Sequence, residues 1–157
     1  MSSMEQFRDL VVRVRQEKGG WGPVAAPTPV CGHYWYLGSP YSHQDDRELD
    51  KRNVLAQRAT AALIGMGNIV YSPIAHSHGV ALSGFDHVDA RDHNLWMKQC
   101  EAMLQWAAGL FVLPLPGFEV SEGLAREVGL MEDWERPVVW LEPMFGQRVL
   151  EFRRSPG

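Results

Sequence analysis

Apolar positions at helical spacing alternate along this chain with short apolar runs, and the switch between them outlines its elements. Met4, Phe7, Leu10, Val11 and Val14 fall at the three- and four-residue spacing of an amphipathic helix, predicted over residues 4–18. Glycine and proline then crowd "GGWGPVAAPTP" (19–29), which reads as an irregular linker. "VCGHYWYLGS" is aromatic and β-branched and stops at a Gly-Ser, as a first strand would. The stretch "SPYSHQDDRELDKRNVLAQRATAALIGMG" starts as a loop and becomes a helix. Acidic residues gather in its first turn, where the helix dipole favours them, and Gly65 or Gly67 can end it.

"NIVYSPIAH" predicts a second strand running into a loop. His, Gly and Ser dominate residues 75–88, so a long irregular segment is expected there. "DARDHNLWMKQCEAMLQWAAG" predicts a helix with Leu95, Met97, Cys100, Met103, Leu104 and Trp106 mostly inward. "LFVLPLP" is a third strand, "SEGLAREVGLMED" a third helix of the repeating unit, "RPVVWLEP" a fourth strand, and "MFGQRVLEFRR" a short terminal helix.

Strands alternating with helices imply parallel βαβ units, hence an α/β fold with an open sheet covered on both faces. The organisation is an N-terminal helix (1–18), a linker (19–29) and one α/β domain (30–157). Ligands of such sheets bind outside the carboxyl ends of the strands, where the strand order reverses. The loops "GSPYSHQDD", "SPIAHSHG" and "LPGFEVSEG" are therefore the ones to search for chemistry.

Composition narrows the classes. The 157 residues, 45% hydrophobic and 22% charged, suit one globular domain. A net charge of −4 argues against a general nucleic-acid partner. Cys31 and Cys100 have no CxxC spacing, so neither a disulfide framework nor a zinc ribbon is indicated. No signal-peptide core and no apolar run of membrane-spanning length occur, and a cytoplasmic protein without a membrane partner is expected.

Three loop features carry candidate chemistry. Gly38-Ser39-Pro40-Tyr41, at the end of a strand, can offer backbone N–H groups and a hydroxyl to a phosphate, although short Gly-Ser turns are common. Downstream, His76, His78, Asp86, His87, Asp89, Asp92 and His93 invite a metal reading. No pair has the spacing of a helical HExxH site, and a polar substrate-facing loop containing His76 accounts for them better. His76 and His78 would point the same way along an extended segment. In the third loop Ser121 is a plausible N-cap, and the same helix start suits an anion.

Glu127 lies in the second turn of that helix. Leu124, Gly123, Leu130 and Met131 are its neighbours at spacing three and four, so it sits on or beside the buried stripe. The small Gly123 one turn earlier leaves its carboxylate room to face the cleft. Arg126 and Glu132 sit at other angles and are expected to be solvated. Glu127 is either a boundary glutamate or a partly buried carboxylate able to act as nucleophile or base.

Taken together, "YWYLGSPYSH", "GNIVYSPIAHSH" and "LW…CEAML…AAGLFVLPLPGFEVSEGLAREVG" resemble the nucleoside 2-deoxyribosyltransferase superfamily. They come nearest to its small bacterial and phage branch and to the 2′-deoxynucleoside 5′-monophosphate N-glycosidases. The likeness spans about residues 34–141 and leaves the first helix outside. It implies a flavodoxin-like (Rossmann-like) open, mainly parallel sheet of four to five strands. It also implies attack by a glutamate on the anomeric carbon of a nucleoside or nucleotide, with release of the base. By motif that glutamate is Glu127, in "SxGxxxE", and Tyr36 matches the tyrosine that positions it. Ser121 stands where members acting on free nucleosides tend to have an aspartate. A serine there, with Ser39, fits a 5′-phosphate, which an aspartate would repel. Arg47 or Arg52 would add positive charge. Tyr41, Trp96 and Phe118 are candidates to stack on the base, with a core role the better default for Trp96.

One position departs from the pattern. Cys100 stands where the family usually has the aspartate that positions the sugar or protonates the base. Either Glu101 or one of Asp86, Asp89 and Asp92 takes over, or the protein is catalytically altered. The expectations are thus a catalytic set of Glu127, Tyr36 and Glu101, with substrate contacts from Gly38, Ser39, Tyr41, His76, Asp92, Phe118, Ser121 and Gly123. The substrate would be a nucleoside 5′-monophosphate, with no metal or cofactor. A homodimer is the expected assembly, and the N-terminal helix is a candidate for its interface. A non-catalytic nucleotide-binding module using the same cleft is the alternative.

Overall fold

The computed structural model describes residues 1–17, 34–89 and 91–145. The 19–29 linker, Cys31 and most of the expected terminal helix lie outside the described residues. In chain order the elements are α1 (Ser3–Glu17), β1 (Trp35–Gly38), α2 (Asp46–Gly65), β2 (Val70–Tyr71), α3 (Pro73–Ala81), α4 (His93–Gln105), β3 (Gly109–Val112), α5 (Glu122–Asp133) and β4 (Val138–Trp140). A single 3-10 turn, Phe118–Val120, precedes α5.

The four strands form one open sheet in the order β2-β1-β3-β4, with every neighbouring pair parallel. This is a flavodoxin-like α/β fold. Alternation along the strands feeds two cores, because successive side chains leave opposite faces. Tyr36, Leu110 and Val112 pack with Leu104 of α4, Leu124 and Val128 of α5, and the apolar stripe of α1. Leu37 and Phe111 pack on the other face with Leu55, Ala59 and Leu63 of α2.

Helix α1 is part of this core. Phe7, Leu10, Val11 and Val14 are all buried, whereas Met4 lies off the stripe and is exposed. The Phe7 ring meets Phe118 at 5.6 Å and the edge of Trp140 at 5.4 Å. Arg8 pairs with Glu132, and Arg15 pairs with Asp133 at 2.8 Å while donating to the Gly129 carbonyl at 3.2 Å. The apolar stripe is therefore covered by α5 of its own chain.

The region after β2 departs from expectation. The strand is two residues long, and residues 73–81 form a helix rather than an irregular run. Ser72 caps it, accepting from the Ala75 N–H at 3.3 Å, and Pro73 occupies the first turn with its φ already helical. "SP" is thus a helix start, although it also reads as the end of a strand. On a helix, residues two apart diverge, so His76 is exposed while His78 is buried. In α4 only Leu104 is fully buried; Leu95, Met97, Cys100 and Met103 are half-buried, and Trp106, just past the helix end, is 51% exposed. The helix forms a wall of the cleft rather than a central core element.

The connections out of β1 explain where a ligand would bind. From β1 the chain passes through α2 to β2 on one side; through α3 and α4 it returns to β3 on the other. The strand order reverses between β1 and β3, and a crevice opens at their carboxyl ends. There Gly38 pairs with Val112, and Leu113 N–H donates to the Gly38 carbonyl at 2.9 Å.

Candidate active site

A cleft of about 490 Å³ occupies that crevice, and Glu127 lines it together with Ser39, Tyr41, Arg52, Cys100 and Ser121. Ser121 starts α5, accepting from the Leu124 N–H at 3.4 Å, and the second turn delivers Glu127 to the cleft. Tyr36, wholly buried in β1, donates its hydroxyl to Glu127 Oε1 at 2.6 Å. Burial pushes the Glu127 carboxyl up to about 7, with the Tyr36 hydrogen bond pulling the other way. The Tyr36 phenol is itself driven well above its ordinary value, first by burial and then by the Glu127 charge, so it remains a donor. A carboxylate balanced near neutrality, oriented by a phenol and open to a crevice, can serve as a nucleophile or a base.

The room for this carboxylate comes from Gly38. A Cβ there would lie 2.7 Å from Glu127 Oε2 and 3.0 Å from Leu124 Cδ1. Gly123, expected to provide that space, lines the cleft without confining anything: a Cβ there would meet nothing within 4 Å.

Two buried polar groups that line the same cleft are under-satisfied. Ser39 is 8% exposed, and its Oγ has no hydrogen-bond partner among the described residues. Arg52, equally buried, donates to the Ser42 carbonyl at 2.9 Å and the Pro116 carbonyl at 3.1 Å, while its Nε has no partner among them. These two carbonyls accept from the guanidinium without neutralising its charge. The loop after β3 reaches this arginine through Gly117, which has φ of 91° and would put a Cβ 2.9 Å from Arg52 Nη2. Arg47, the other basic candidate, is exposed and outside the cleft lining.

Several expected site residues are engaged elsewhere. Glu101 is held by Arg126, whose Nε donates to it at 2.6 Å, so Arg126 is largely buried rather than solvated and Glu101 does not line the cleft. Glu132 is exposed, and it pairs with Arg8. Asp92 is the N-cap of α4, accepting from the Leu95 N–H at 3.1 Å. His76 lies outside the lining, near Tyr71. Phe118 turns into the α1 core against Phe7 and Trp140, not toward a ligand. Tyr41 does line the cleft, and so does Trp96, whose Nε1–H donates to the Asp89 carbonyl at 2.8 Å. Cys100 also lines it; burial and the Glu127 charge push its thiol to about 12, so the sulfur keeps its proton.

One arrangement escaped the sequence pattern. The Tyr41 hydroxyl lies 2.6 Å from His78 Nδ1, and His78 Nε2 lies 3.0 Å from Asp50 Oδ1. Three elements contribute these groups, and only the S-P cap that starts α3 hints that His78 turns inward. Among the described residues no three His, Cys, Asp or Glu side chains converge as a metal site would require. No described helix is long and apolar enough to cross a membrane.

Comparison with curated proteins gives no match. Residues 33–143, which take in all four strands and the whole cleft lining, match the family described as a domain of unknown function, DUF1937, and the chain belongs to that family.

Proposed function

We propose that this protein cleaves the N-glycosidic bond of a nucleoside 5′-monophosphate, with Glu127 as the nucleophile. The observation that carries the reading is the Tyr36–Glu127 pair at the switch point: a half-buried carboxylate, held by a phenol at 2.6 Å, opening into a cleft. Attack by Glu127 on the anomeric carbon forms a glycosyl ester as the carbon–nitrogen bond breaks. Water, or a second base, then resolves the ester. The double displacement divides an oxocarbenium-like substitution into two easier steps. The resemblance to nucleoside 2-deoxyribosyltransferases supports the same assignment by motif.

The 5′-phosphate is supported by the polar end of the cleft. Among the described residues Ser39 Oγ is buried without a partner, and the charged Arg52 side chain donates to carbonyls. A phosphate would satisfy both, and the start of α5 at Ser121 adds free N–H groups and a favourable dipole.

The test is a panel of ribo- and deoxyribonucleoside 5′-monophosphates with chromatographic detection of free base. The native protein is expected to release base from at least one of them, and Glu127→Gln from none. Turnover by Glu127→Gln equal to the native protein would refute the assignment. A second reading, a binding module without catalysis, is favoured by Cys100, an undissociated thiol where the resemblance calls for an aspartate. Nucleotide binding with no base released by the native protein would establish that reading instead.

A further inference from the structure

A leaving base departs more readily when it takes up a proton, and Cys100 is a poor source of one. Another group that lines the cleft offers one. Tyr41 lines the cleft with its hydroxyl 2.6 Å from Nδ1 of His78, which is only 8% exposed; the two rings meet edge to face at 5.9 Å. The far nitrogen of His78 reaches Asp50 at 3.0 Å, and the Asp50 side chain is 67% exposed. The three groups form a continuous path from solvent, through a buried imidazole, to a phenol in the cleft. Asp50 is on α2, His78 on α3, and Tyr41 in the loop after β1.

We propose that Tyr41 donates the proton to the departing base, with His78 and Asp50 as positioning residues that orient and reload it. The proposal rests on the glycosidic reading above. In the competent state His78 is doubly protonated. Its Nε2–H donates to the Asp50 carboxylate and its Nδ1–H donates to the Tyr41 oxygen, which frees the phenolic proton to point into the cleft. As the Glu127 oxygen bonds to the anomeric carbon, the electron pair of the carbon–nitrogen bond moves onto the base. The Tyr41 proton follows it, and the Nδ1 proton of His78 passes to the Tyr41 oxygen, so that tyrosine never stands as a phenolate. Water then attacks the glycosyl ester, its hydroxyl stays on the sugar, the carboxylate leaves, and the released proton restores His78. Each turnover thus consumes one water and regenerates every group.

The surroundings suit a phenol that keeps its proton until it is needed. Burial first, then the Asp50 charge, raise the Tyr41 phenol above its ordinary value, with Arg91 opposing and Asp46 adding. The charged groups around it are Asp46 and Asp50 of α2, His78 of α3, Arg91 ahead of α4 and His43 of its own loop; Glu127 and Arg52 line the same cleft. Arg91 is tied to Asp46, so the imidazole of His78 is the partner in hydrogen-bond contact with Tyr41.

The experiment compares two leaving groups on one sugar phosphate: the best natural base, and 4-nitrophenolate, which departs without a proton. Tyr41→Phe is expected to lower kcat for the natural base about 10²–10³-fold, within the usual range for a lost general acid, and to spare the nitrophenyl compound. Asp50→Asn, at an exposed side chain, is expected to show the same selectivity to a smaller degree and to narrow the pH profile on its alkaline side. Equal losses on both substrates would overturn the relay and leave Glu127 standing. No turnover of either compound by the native protein would refute the glycosidic reading itself. Nitrogen-15 spectra of the histidines provide a test without substrate: the Nδ1 and Nε2 signals of His78, which report its hydrogen bonds to Tyr41 and Asp50, should move in both variants, and unmoved signals would also overturn the relay.

Discussion

A carboxylate placed as Glu127 is has consequences that can be measured separately in activity and in stability. Its carboxyl loses its proton only at about 7, so the proposed nucleophile is half ionised near neutrality, and turnover should rise with pH through that value. The stability effect has the opposite sign. The folded value lies above the unfolded value of 4.5, so below 4.5 the buried group is neutral in both states and costs nothing extra. Above it the unfolded chain gives up the proton while the folded chain retains it, and stability falls until about 7 and then levels off. The loss amounts to about 3 kcal/mol. Glu127→Gln should therefore gain stability relative to the native chain on going from about pH 4 to about pH 8, read from paired urea titrations. Its amide oxygen can still accept from Tyr36. The glycines make a contrasting pair. Gly38→Ala would drive a methyl against the Glu127 carboxylate and should lower turnover at least tenfold, whereas Gly123→Ala, facing open space, should change it little. Steady-state rates on the same nucleotide decide both.

Two elements hold that geometry. Helix α5 carries Glu127 on its cleft side and receives α1 on its other side. Phe7 sits between Phe118 and Trp140, so α1 stabilises both the turn that leads into α5 and the strand that follows it. Phe7→Ala should cost about 3–5 kcal/mol of unfolding free energy, as truncation of a buried aromatic does. Denaturant titration checks it, and a loss below about 1 kcal/mol would mean that α1 is dispensable to the core. Helix α3 shows how a strong cap outweighs poor propensity. Gly79 and three polar residues weaken its interior, but Ser72 and Pro73 start it, and Ile74 and His78 fix its buried side.

At the scale of the whole molecule, the parallel order β2-β1-β3-β4 brings the candidate groups to one crevice, the α5 carboxylate against Tyr36 and Gly38 of β1 and the proposed Tyr41 relay in the loop that follows β1. A ligand bridging them should carry an anion for Arg52 and Ser39. A nucleoside 5′-monophosphate is therefore expected to raise Tm more than the corresponding nucleoside, and Ser39→Ala to shrink the difference, as measured by scanning calorimetry. Much of this frame was legible beforehand. The apolar runs of β1 and β3, the periodic stripes of α1 and α5, and the cap at Ser121 are local patterns, each written within a few consecutive residues, and they sufficed for the α/β class and for placing Glu127 on the helix after the third strand. What the sequence left open were meetings between distant residues. Glu101 looked free until Arg126 of the next helix took it, and Phe118 looked available to a ligand until α1 covered it. His78 joined Tyr41 and Asp50 only because α3 lies against α2 beside the end of β1. Periodicity tells a side chain which face of its own element it occupies. Only the packing of elements against one another decides what stands opposite, and that is where a carboxylate becomes an ion-pair partner or a tyrosine meets a buried imidazole.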